Sequence, residues 1–294
     1  MEFLQPTRLA DALAAKAANP GAVPIAGGTD LMVDVNFDRL RPEVLLDLGR
    51  VEELRGWSLR DDTLRIGARV TFTEVIEEIG ALAPALATAA RTVGSPQIRN
   101  RGTIGGNLGS SSPAGDALPP LLASGGSVEV ASVRGTRHIP IEEFFTGVKQ
   151  NALDEDEIIT AVAISPADGP QQFAKIGARN AMVIAVASFA LVLRLSTRSV
   201  GTGLGSVAPT PRRAYEAERF LEEELAAGGY WDQRHGLPDA TVERFAQLVA
   251  LEARPIDDVR GTAAYRSLGL SVLARRTLGW AWQELRLSGA VFRV

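Results

Sequence analysis

The chain has 294 residues, a formal net charge of −4 at pH 7 and no cysteine. That length allows two or three compact units, and the missing thiols exclude disulfides, a thiolate nucleophile and cysteine-ligated iron–sulfur clusters within this chain. No basic run suggests a nucleic-acid partner, no apolar run reaches the ~18–20 residues that span a bilayer, and the N-terminus lacks the features of a Sec-type signal.

The first fifty residues predict a small βα unit. Thr7 is a candidate N-cap for the first helix, and residues 23–25 and 44–48 predict strands. The glycine loop AGGTDL at 26–31 follows the first of these strands. A helical turn is predicted at 31–37, which places the loop at a helix N-terminus.

The next part of the chain carries several local signals. Residues 59–68 predict a hairpin around Asp61-Asp62, and Thr71 with Glu74 predicts a capping box. The other predicted elements are helices at 81–93, 118–123 and 141–145 and strands at 127–132, 137–139 and 158–164.

The segment TIGGNLGSSSPAGDALPPLL at 103–122 stands out, because its glycines and serines suit neither a packed helix nor a strand. It is expected to open with a strand-like Thr103-Ile104 and to break into a loop at Gly105-Gly106. Two glycine loops that expose backbone N–H groups beside small hydroxyls suit a phosphate-bearing cofactor. The alternative is that both are ordinary tight turns.

Asp168-Gly169-Pro170 marks a boundary. We therefore expect domains at 1–168, with subdomains at about 1–55 and 56–168, and at 169–294. Strands followed by helices indicate an α+β C-terminal domain. Its predicted strands are 172–176, 184–195 and 200–207, and its predicted helices are 214–225, 241–252 and 263–287.

Two features of the sequence point away from other chemistries. GTGLGS at 201–206 resembles a dinucleotide fingerprint, but Ser206 stands where the third glycine belongs and two prolines follow, so a strand and turn are predicted instead. His138 and His235 are the only histidines and lie far apart, so we expect no metal site.

Several motifs, in order along nearly the whole chain, resemble the flavin subunits of molybdenum-containing hydroxylases, the family of xanthine, carbon monoxide and nicotine dehydrogenases. They are PIAGGTDL at 24–31, QIRNRGTIGGNL and SPAGD within 97–116, FAKI at 173–176, GSVAPTPRRAYEAE at 205–218 and DDVRGTAAYRSLGLSVLARR at 257–276. The resemblance implies an α+β fold with a two-part FAD-binding domain of the vanillyl-alcohol-oxidase (PCMH) type and a small C-terminal domain.

The resemblance also implies FAD. Attachment is expected to be non-covalent, because there is no cysteine and neither histidine lies in a glycine loop. Asp116 would accept a hydrogen bond from a ribityl or ribose hydroxyl, since a carboxylate repels phosphate; its alternative role is N-cap of the 118–123 helix. No catalytic residue is expected in this chain. The expected FAD-binding positions are Ala26, Gly27, Gly28, Thr29, Asp30, Leu31, Thr103, Ile104, Gly105, Gly106, Asn107, Asp116, Ile159 and Lys175.

By resemblance, the chain works in the cytoplasm beside a molybdopterin-binding large subunit and a [2Fe-2S] small subunit, passing electrons to NAD⁺ or a quinone. Thr29-Asp30 and Ser111-Ser112-Pro113 are closer to the xanthine and N-heterocycle branch than to the carbon monoxide branch. The alternatives are a carbon monoxide dehydrogenase medium subunit, a self-contained flavin oxidoreductase of the same fold, or a non-enzymatic nucleotide-binding subunit.

Overall fold

A computed structural model describes residues 1–291, with side chains through Ser288. Its helices and strands form three hydrophobic cores that follow one another along the chain, plus a smaller one between the second and third. The α+β prediction is confirmed.

The N-terminal part is a three-stranded parallel sheet in the order β1-β3-β2, covered by one helix. Ala12 on that helix and Leu46 on the central strand are fully buried in its core. Thr7 does not cap the helix as predicted: Arg8 is at the N-cap, and the Leu9 N–H donates to Glu53 Oε1 at 3.1 Å. The elements are β1 (Glu2–Leu4), α1 (Leu9–Ala18), β2 (Val23–Ile25), α2 (Leu31–Asn36) and β3 (Val44–Asp47).

The second part is a five-stranded antiparallel sheet in the order β4-β5-β10-β6-β7, with helices packed on one face. The hairpin at Asp61-Asp62 and the Thr71–Glu74 capping box are confirmed. A 3₁₀ turn at Glu52–Leu54 leads into it. Its elements are β4 (Trp57–Arg60), β5 (Thr63–Gly67), α3 (Phe72–Glu78), α4 (Pro84–Thr92), α5 (Pro96–Arg99), α6 (Ile104–Ser110), α7 (Leu118–Ser124), β6 (Ser127–Ser132), β7 (Gly135–Pro140), α8 (Ile141–Phe144), β8 (Phe145–Gly147), β9 (Gln150–Asn151) and β10 (Ile158–Ile164).

The C-terminal part is a three-stranded antiparallel sheet in the order β11-β12-β13. One face packs on its own helices, and Phe189 contacts Phe245 there edge to face. The elements are β11 (Gln171–Ile176), β12 (Ala187–Arg194), β13 (Ser199–Gly205), α9 (Tyr215–Ala227), α10 (Tyr230–Gln233), α11 (Asp239–Leu251) and α12 (Ala263–Val291).

The other face of this sheet packs against α4 and α7. The glycine-rich segment at 201–205 is strand β13, as predicted. Its glycines allow α7 to approach closely, because a Cβ on Gly203 would lie 1.9 Å from the Pro119 carbonyl oxygen and one on Gly201 2.0 Å from that of Ala123. The fold thus joins the C-terminal sheet tightly to the preceding domain. None of the helices within residues 1–291 has both the length and the hydropathy that crossing a bilayer requires.

Candidate functional site

The structure brings the two predicted glycine loops into contact. A Cβ on Gly27 would lie 1.9 Å from the backbone oxygen of Arg101, just before Thr103. Ser110 Oγ donates to Asp30 Oδ2 at 2.6 Å, which joins the loops a second time. Residues 26–31 and 103–110 therefore form one continuous surface.

The first loop keeps its backbone donors available. Within the described residues, none of the six N–H groups of residues 26–31 has a hydrogen-bond acceptor. Gly28 has φ +74°, a left-handed conformation that glycine adopts without strain. The predicted helical turn is confirmed as α2. Six consecutive free donors on a partly buried loop suit the oxygens of an anionic group.

The second loop is not a loop. Ile104 begins helix α6, and Thr103 is its N-cap, with Thr103 Oγ1 accepting from the Gly106 N–H at 3.0 Å. The strand-like Thr103-Ile104 prediction is therefore wrong for Ile104. The N–H groups of Ile104 and Gly105 donate to the Val70 and Ala68 carbonyls at 2.9 and 2.8 Å. These tertiary bonds fix a helix where the residue types alone indicate a turn.

Helix α6 presents a face without side chains. Ile104 and Leu108 point into the core, whereas Gly106 and Gly109 are exposed one turn apart. A Cβ on Gly106 would meet only Thr103 Oγ1, at 3.0 Å, and one on Gly109 only Ile159 Cδ1, at 3.8 Å. An extended ligand can therefore come close to the helix backbone on this face, because no side chain stands in its way. Sequence reasoning missed Gly109, whose i+3 spacing from Gly106 was the available signal.

Gly105 has a different environment. A Cβ at Gly105 would lie 2.6 Å from Ala68 Cβ and 2.7 Å from Ala68 O. The glycine is therefore required for packing of α6 against the residue that follows β5.

Asp116 is buried, with 8% of its surface exposed, and faces two other segments. Its Oδ2 accepts from Lys175 Nζ at 2.6 Å and from Thr92 Oγ1 at 3.4 Å. The N-cap of α7 is Ala117, without a side-chain cap, so the capping alternative for Asp116 is wrong. Its position is set by an ion pair between β11 and the segment before α7.

Two buried oxygens near this ion pair lack hydrogen-bond donors among the described residues. They are Asp116 Oδ1 and Asn107 Oδ1. Asn107 Oδ1 lies 3.1 Å from the position of a Cβ on Gly115, so the two acceptors are on neighbouring segments. An unsatisfied buried acceptor is costly, and a ligand hydroxyl would satisfy it.

The electrostatics of Asp116 favour a hydrogen-bond donor. Burial raises the pKa of Asp116 to about 6, and the Lys175 ammonium and the Thr92 hydroxyl oppose that rise. A hydroxyl donating to Oδ1 would stabilise the ionised form further.

A cleft of about 810 Å³ opens beside the ion pair. Thr92 and Lys175 line it, and so does the loop at 177–183, which Arg179 closes by donating to the Ala181 and Met182 carbonyls. Arg99 also lines the cleft, and its Nη1 donates to the carbonyls of Arg91, Val93 and Gly94. Sequence reasoning singled out Lys175 but missed this loop and Arg99, because the sequence gives no sign that they line one cleft.

Comparison with known proteins identifies the family. The model of the FAD-binding domain in molybdopterin dehydrogenases matches residues 1–167, and that of the CO dehydrogenase flavoprotein C-terminal domain matches 172–281. The chain belongs to the FAD-binding subunits of molybdenum-containing hydroxylases. It is therefore an oxidoreductase subunit that binds FAD, as the motifs predicted.

Three relatives of this flavin subunit illustrate the family's range. The nicotinate dehydrogenase FAD-subunit of Eubacterium barkeri is 37% identical over 67% of this chain and 70% of its own. The putative xanthine dehydrogenase FAD-binding subunit of Escherichia coli K12 is 32% identical over 93% of each chain. A solved chain of carbon monoxide dehydrogenase from Hydrogenophaga pseudoflava superimposes with a TM-score of 0.87 at 29% identity, over 97% of this chain and 98% of that one.

The residues present fit FAD. The free N–H groups of residues 26–31 suit its pyrophosphate, and the bare face of α6 allows close approach. The unsatisfied oxygens of Asn107 and Asp116 suit its hydroxyls.

Proposed function

We propose that this flavin subunit carries electrons from [2Fe-2S] clusters on a small partner subunit to NAD⁺ or a quinone, and that a molybdopterin-binding large subunit of the same complex hydroxylates a purine or another N-heterocycle. The observation that supports it most is the match to a xanthine dehydrogenase FAD-binding subunit over 93% of both chains. The similarity to a nicotinate dehydrogenase FAD-subunit supports an N-heterocycle as substrate.

In this proposal, residues 26–31 bind the pyrophosphate through backbone N–H groups, and Thr29 adds a hydroxyl. The exposed face of α6 at Gly106 and Gly109, with Ile159 beside it, forms the surface along which the cofactor lies. Asn107 and Asp116 accept its hydroxyls, and Lys175 lies near the flavin ring while it neutralises Asp116. The working division of the chain is an FAD-binding domain at 1–168 and a C-terminal domain at 169–294.

Bound FAD supplies a carrier that can take up electrons singly and release them in pairs. The residues of this chain would bind and orient it beside the cleft that Arg99 and Arg179 line. No proton transfer is assigned to this chain.

A carbon monoxide dehydrogenase medium subunit is the second candidate. The structural match to the Hydrogenophaga chain, with a TM-score of 0.87, favours it. The two candidates share this flavin site and differ in the substrate oxidised at the partner subunit, so activity of the assembled complex separates them.

The test is purification of the native complex, with measurement of its mass, its flavin, iron and molybdenum content, and its turnover with xanthine, nicotinate and carbon monoxide. We expect one FAD per chain, released into the supernatant by acid, and activity with an N-heterocycle. The isolated chain should take electrons from dithionite and show no turnover. Flavin left in the acid pellet, FMN in place of FAD, or substrate-dependent flavin reduction by the chain alone would each contradict the proposal, the last in favour of a self-contained oxidoreductase.

A further inference from the structure

A short hairpin contacts two elements of the candidate site. Strands β8 and β9 form it, and we call residues 145–151 the bridging hairpin. At its base, the buried rings of Phe144 and Phe145 meet edge to face, with centroids 5.3 Å apart. They belong to the same hydrophobic core as Ile104 and Leu108 of α6. The hairpin and the helix are therefore anchored in one core.

Asn151, at the end of the bridging hairpin, holds the last turn of α6. Its Nδ2 donates to the Gly109 carbonyl at 3.1 Å and to Ser111 Oγ at 3.2 Å. Its Oδ1 accepts from the Leu153 N–H at 3.3 Å. An asparagine amide has two donor hydrogens, and both are used here. Asn151 therefore has no donor left for a ligand, and it acts on the site through the helix.

The residue that ends α6 has an unfavourable backbone conformation. Ser111 is fully buried and left-handed, with φ +44° and ψ +34°. This conformation at a helix C-terminus is usually adopted by glycine or asparagine, because a Cβ makes it costly. Ser111 Oγ donates to the Leu108 carbonyl at 2.6 Å while it accepts from Asn151. Its N–H donates to the Asn107 carbonyl at 3.2 Å. Asn151 thus supports a turn that the backbone alone disfavours.

The geometry of this turn sets the position of three proposed cofactor contacts. Gly109 belongs to the bare face of α6, and Asn107 in the preceding turn carries one of the two unsatisfied buried oxygens. Asp116 carries the other and comes five residues after Ser111. A different end to α6 would therefore move the helix face and the Asp116 segment relative to each other.

The bridging hairpin also contacts the other segment of the site. Lys149 Nζ lies 3.6 Å from Asp34 Oδ2. Asp34 is on α2, the helix that begins at the end of the 26–31 loop. This ion pair is largely exposed to solvent and therefore weak, whereas the hydrogen bond from Asn151 to Ser111 is partly buried. Asn151 is therefore the stronger of the two links.

We infer that Asn151 is a positioning residue for FAD. It fixes the last turn of α6, and through that turn it sets the bare helix face against the oxygens of Asn107 and Asp116. Groups that contact a ligand keep a productive geometry only when the residues behind them hold them in place. This inference rests on the placement of FAD along α6 in the proposed function. Asn151 lies outside all of the family motifs.

The experiment compares Asn151→Ala with wild type in the full-length chain. We expect the Kd for FAD to rise about tenfold in calorimetric titration of the apo-protein, because the binding surface is no longer preformed. Asn151→Asp retains the acceptor for the Leu153 N–H and loses both donors, so it should weaken FAD binding at least as much. Gln150→Ala, at the exposed neighbouring position of the same strand, is the matched control and should bind FAD like wild type.

A loss of stability alone can also weaken cofactor binding, so two further measurements isolate positioning. Val249→Ala creates a cavity in the C-terminal core and should lower the apo melting temperature at least as much as Asn151→Ala, without changing the Kd for FAD. In the double variant Asn151→Ala/Asp116→Ala, the change in the logarithm of the Kd should be smaller than the sum of the two single changes. The two residues are coupled in this way because Asn151 acts partly through the position of Asp116.

Four results would each overturn the inference: wild-type FAD affinity in Asn151→Ala, a tenfold loss in Gln150→Ala, an equal loss in Val249→Ala, or additive effects in the double variant. The proposed placement of FAD is tested separately by Gly106→Val. Full flavin occupancy in Gly106→Val would refute that placement itself. Loss of FAD by Gly106→Val together with normal binding by Asn151→Ala would refute only the role of Asn151.

Discussion

The glycine segments 26–31 and 103–107 look alike in sequence and differ in what they offer a ligand. The first leaves six N–H groups without acceptors among the described residues, whereas the second commits the N–H groups of residues 104–107 to protein oxygens. Glycine in the first segment frees donors, and glycine in the second removes side chains from a helix surface. Under the proposed function, similar residue content would support two different kinds of contact with one cofactor.

Gly105→Val tests the packing role in the second segment and should have the largest effect. The new Cβ would lie 2.6–2.7 Å from atoms of Ala68, and the strand-end backbone cannot move away cheaply. We expect loss of about 3 kcal/mol or more of unfolding free energy. Urea unfolding of the apo-protein measures it. This differs from the sequence-based expectation that Gly105 contacts FAD. Apo stability equal to wild type would restore that expectation.

Gly106→Val tests the exposed face of the same helix. Gly106 has open space beyond Thr103 Oγ1, so the branched side chain would occupy the ligand's path while the fold is largely retained. We expect FAD affinity to fall about 100-fold, read from flavin absorbance after dialysis, with the apo melting temperature within a few degrees of wild type. Full flavin occupancy in this variant would show that α6 does not face the cofactor.

Asp116→Ala tests the side-chain acceptors that accompany the second segment. We expect FAD affinity to fall by about 1–3 kcal/mol, the range of a charge-assisted hydrogen bond. The apo-protein should also be less stable, since Lys175 loses its buried counter-ion. Asp116→Asn retains an acceptor and should lose less affinity. Equal losses of stability with and without FAD would show that Asp116 does not contact the cofactor.

The pH dependence of FAD binding also tests whether the Asp116 carboxylate accepts a hydrogen bond from FAD. Burial sets the pKa of free Asp116 at about 6, and a hydroxyl donor on the carboxylate lowers it in the complex. Affinity should therefore be full above pH 6 and fall up to about tenfold per unit as pH decreases below 6. The stability of the apo-protein should depend on pH in the opposite direction. The raised pKa of Asp116 contributes stability at low pH that is lost as the pH rises through about 6. Titrating FAD between pH 5 and 8 with Asp116→Asn as control should show the dependence in wild type alone.

Ser110→Ala should have the smallest effect. It removes the 2.6 Å hydrogen bond to Asp30 that joins the two segments, and this bond is exposed to solvent. We expect FAD affinity to fall by about 0.5–1 kcal/mol, with unfolding free energy nearly unchanged. Calorimetric titration measures the change. A loss as large as that of Asp116→Ala would mean that the bond orders the whole first loop.

Short-range sequence signals correctly predicted the elements that depend only on residues close together in the chain. The Thr71–Glu74 capping box and the Asp61-Asp62 hairpin depend on residues within a few positions and formed as predicted. Helix α6 did not, because the Ala68 and Val70 carbonyls that fix its start are more than thirty residues away. Thr7 does not cap α1 for a similar reason: the N–H of Leu9, the first residue of the helix, donates instead to the side chain of Glu53, which is distant in sequence.

The candidate site shows the same limit. Family motifs singled out Asp116 and Lys175 separately, yet the 2.6 Å ion pair between them depends on how α7 and β11 pack. The loop at 177–183 carries no distinctive residue pattern and becomes recognisable only as a wall of the cleft.

The ion pair between Asp116 and Lys175 also has a consequence for the order of events during synthesis. Asp116 leaves the ribosome nearly sixty residues before its cation. Lys175 lies on β11, and β12 and β13 complete its sheet only when the chain has extended past Gly205. The nascent first domain therefore carries this carboxylate without the cation that pairs with it in the complete chain. Stable loading of the flavin should follow completion of the C-terminal sheet, so a chain stalled after residue 168 would leave its cofactor site unfinished.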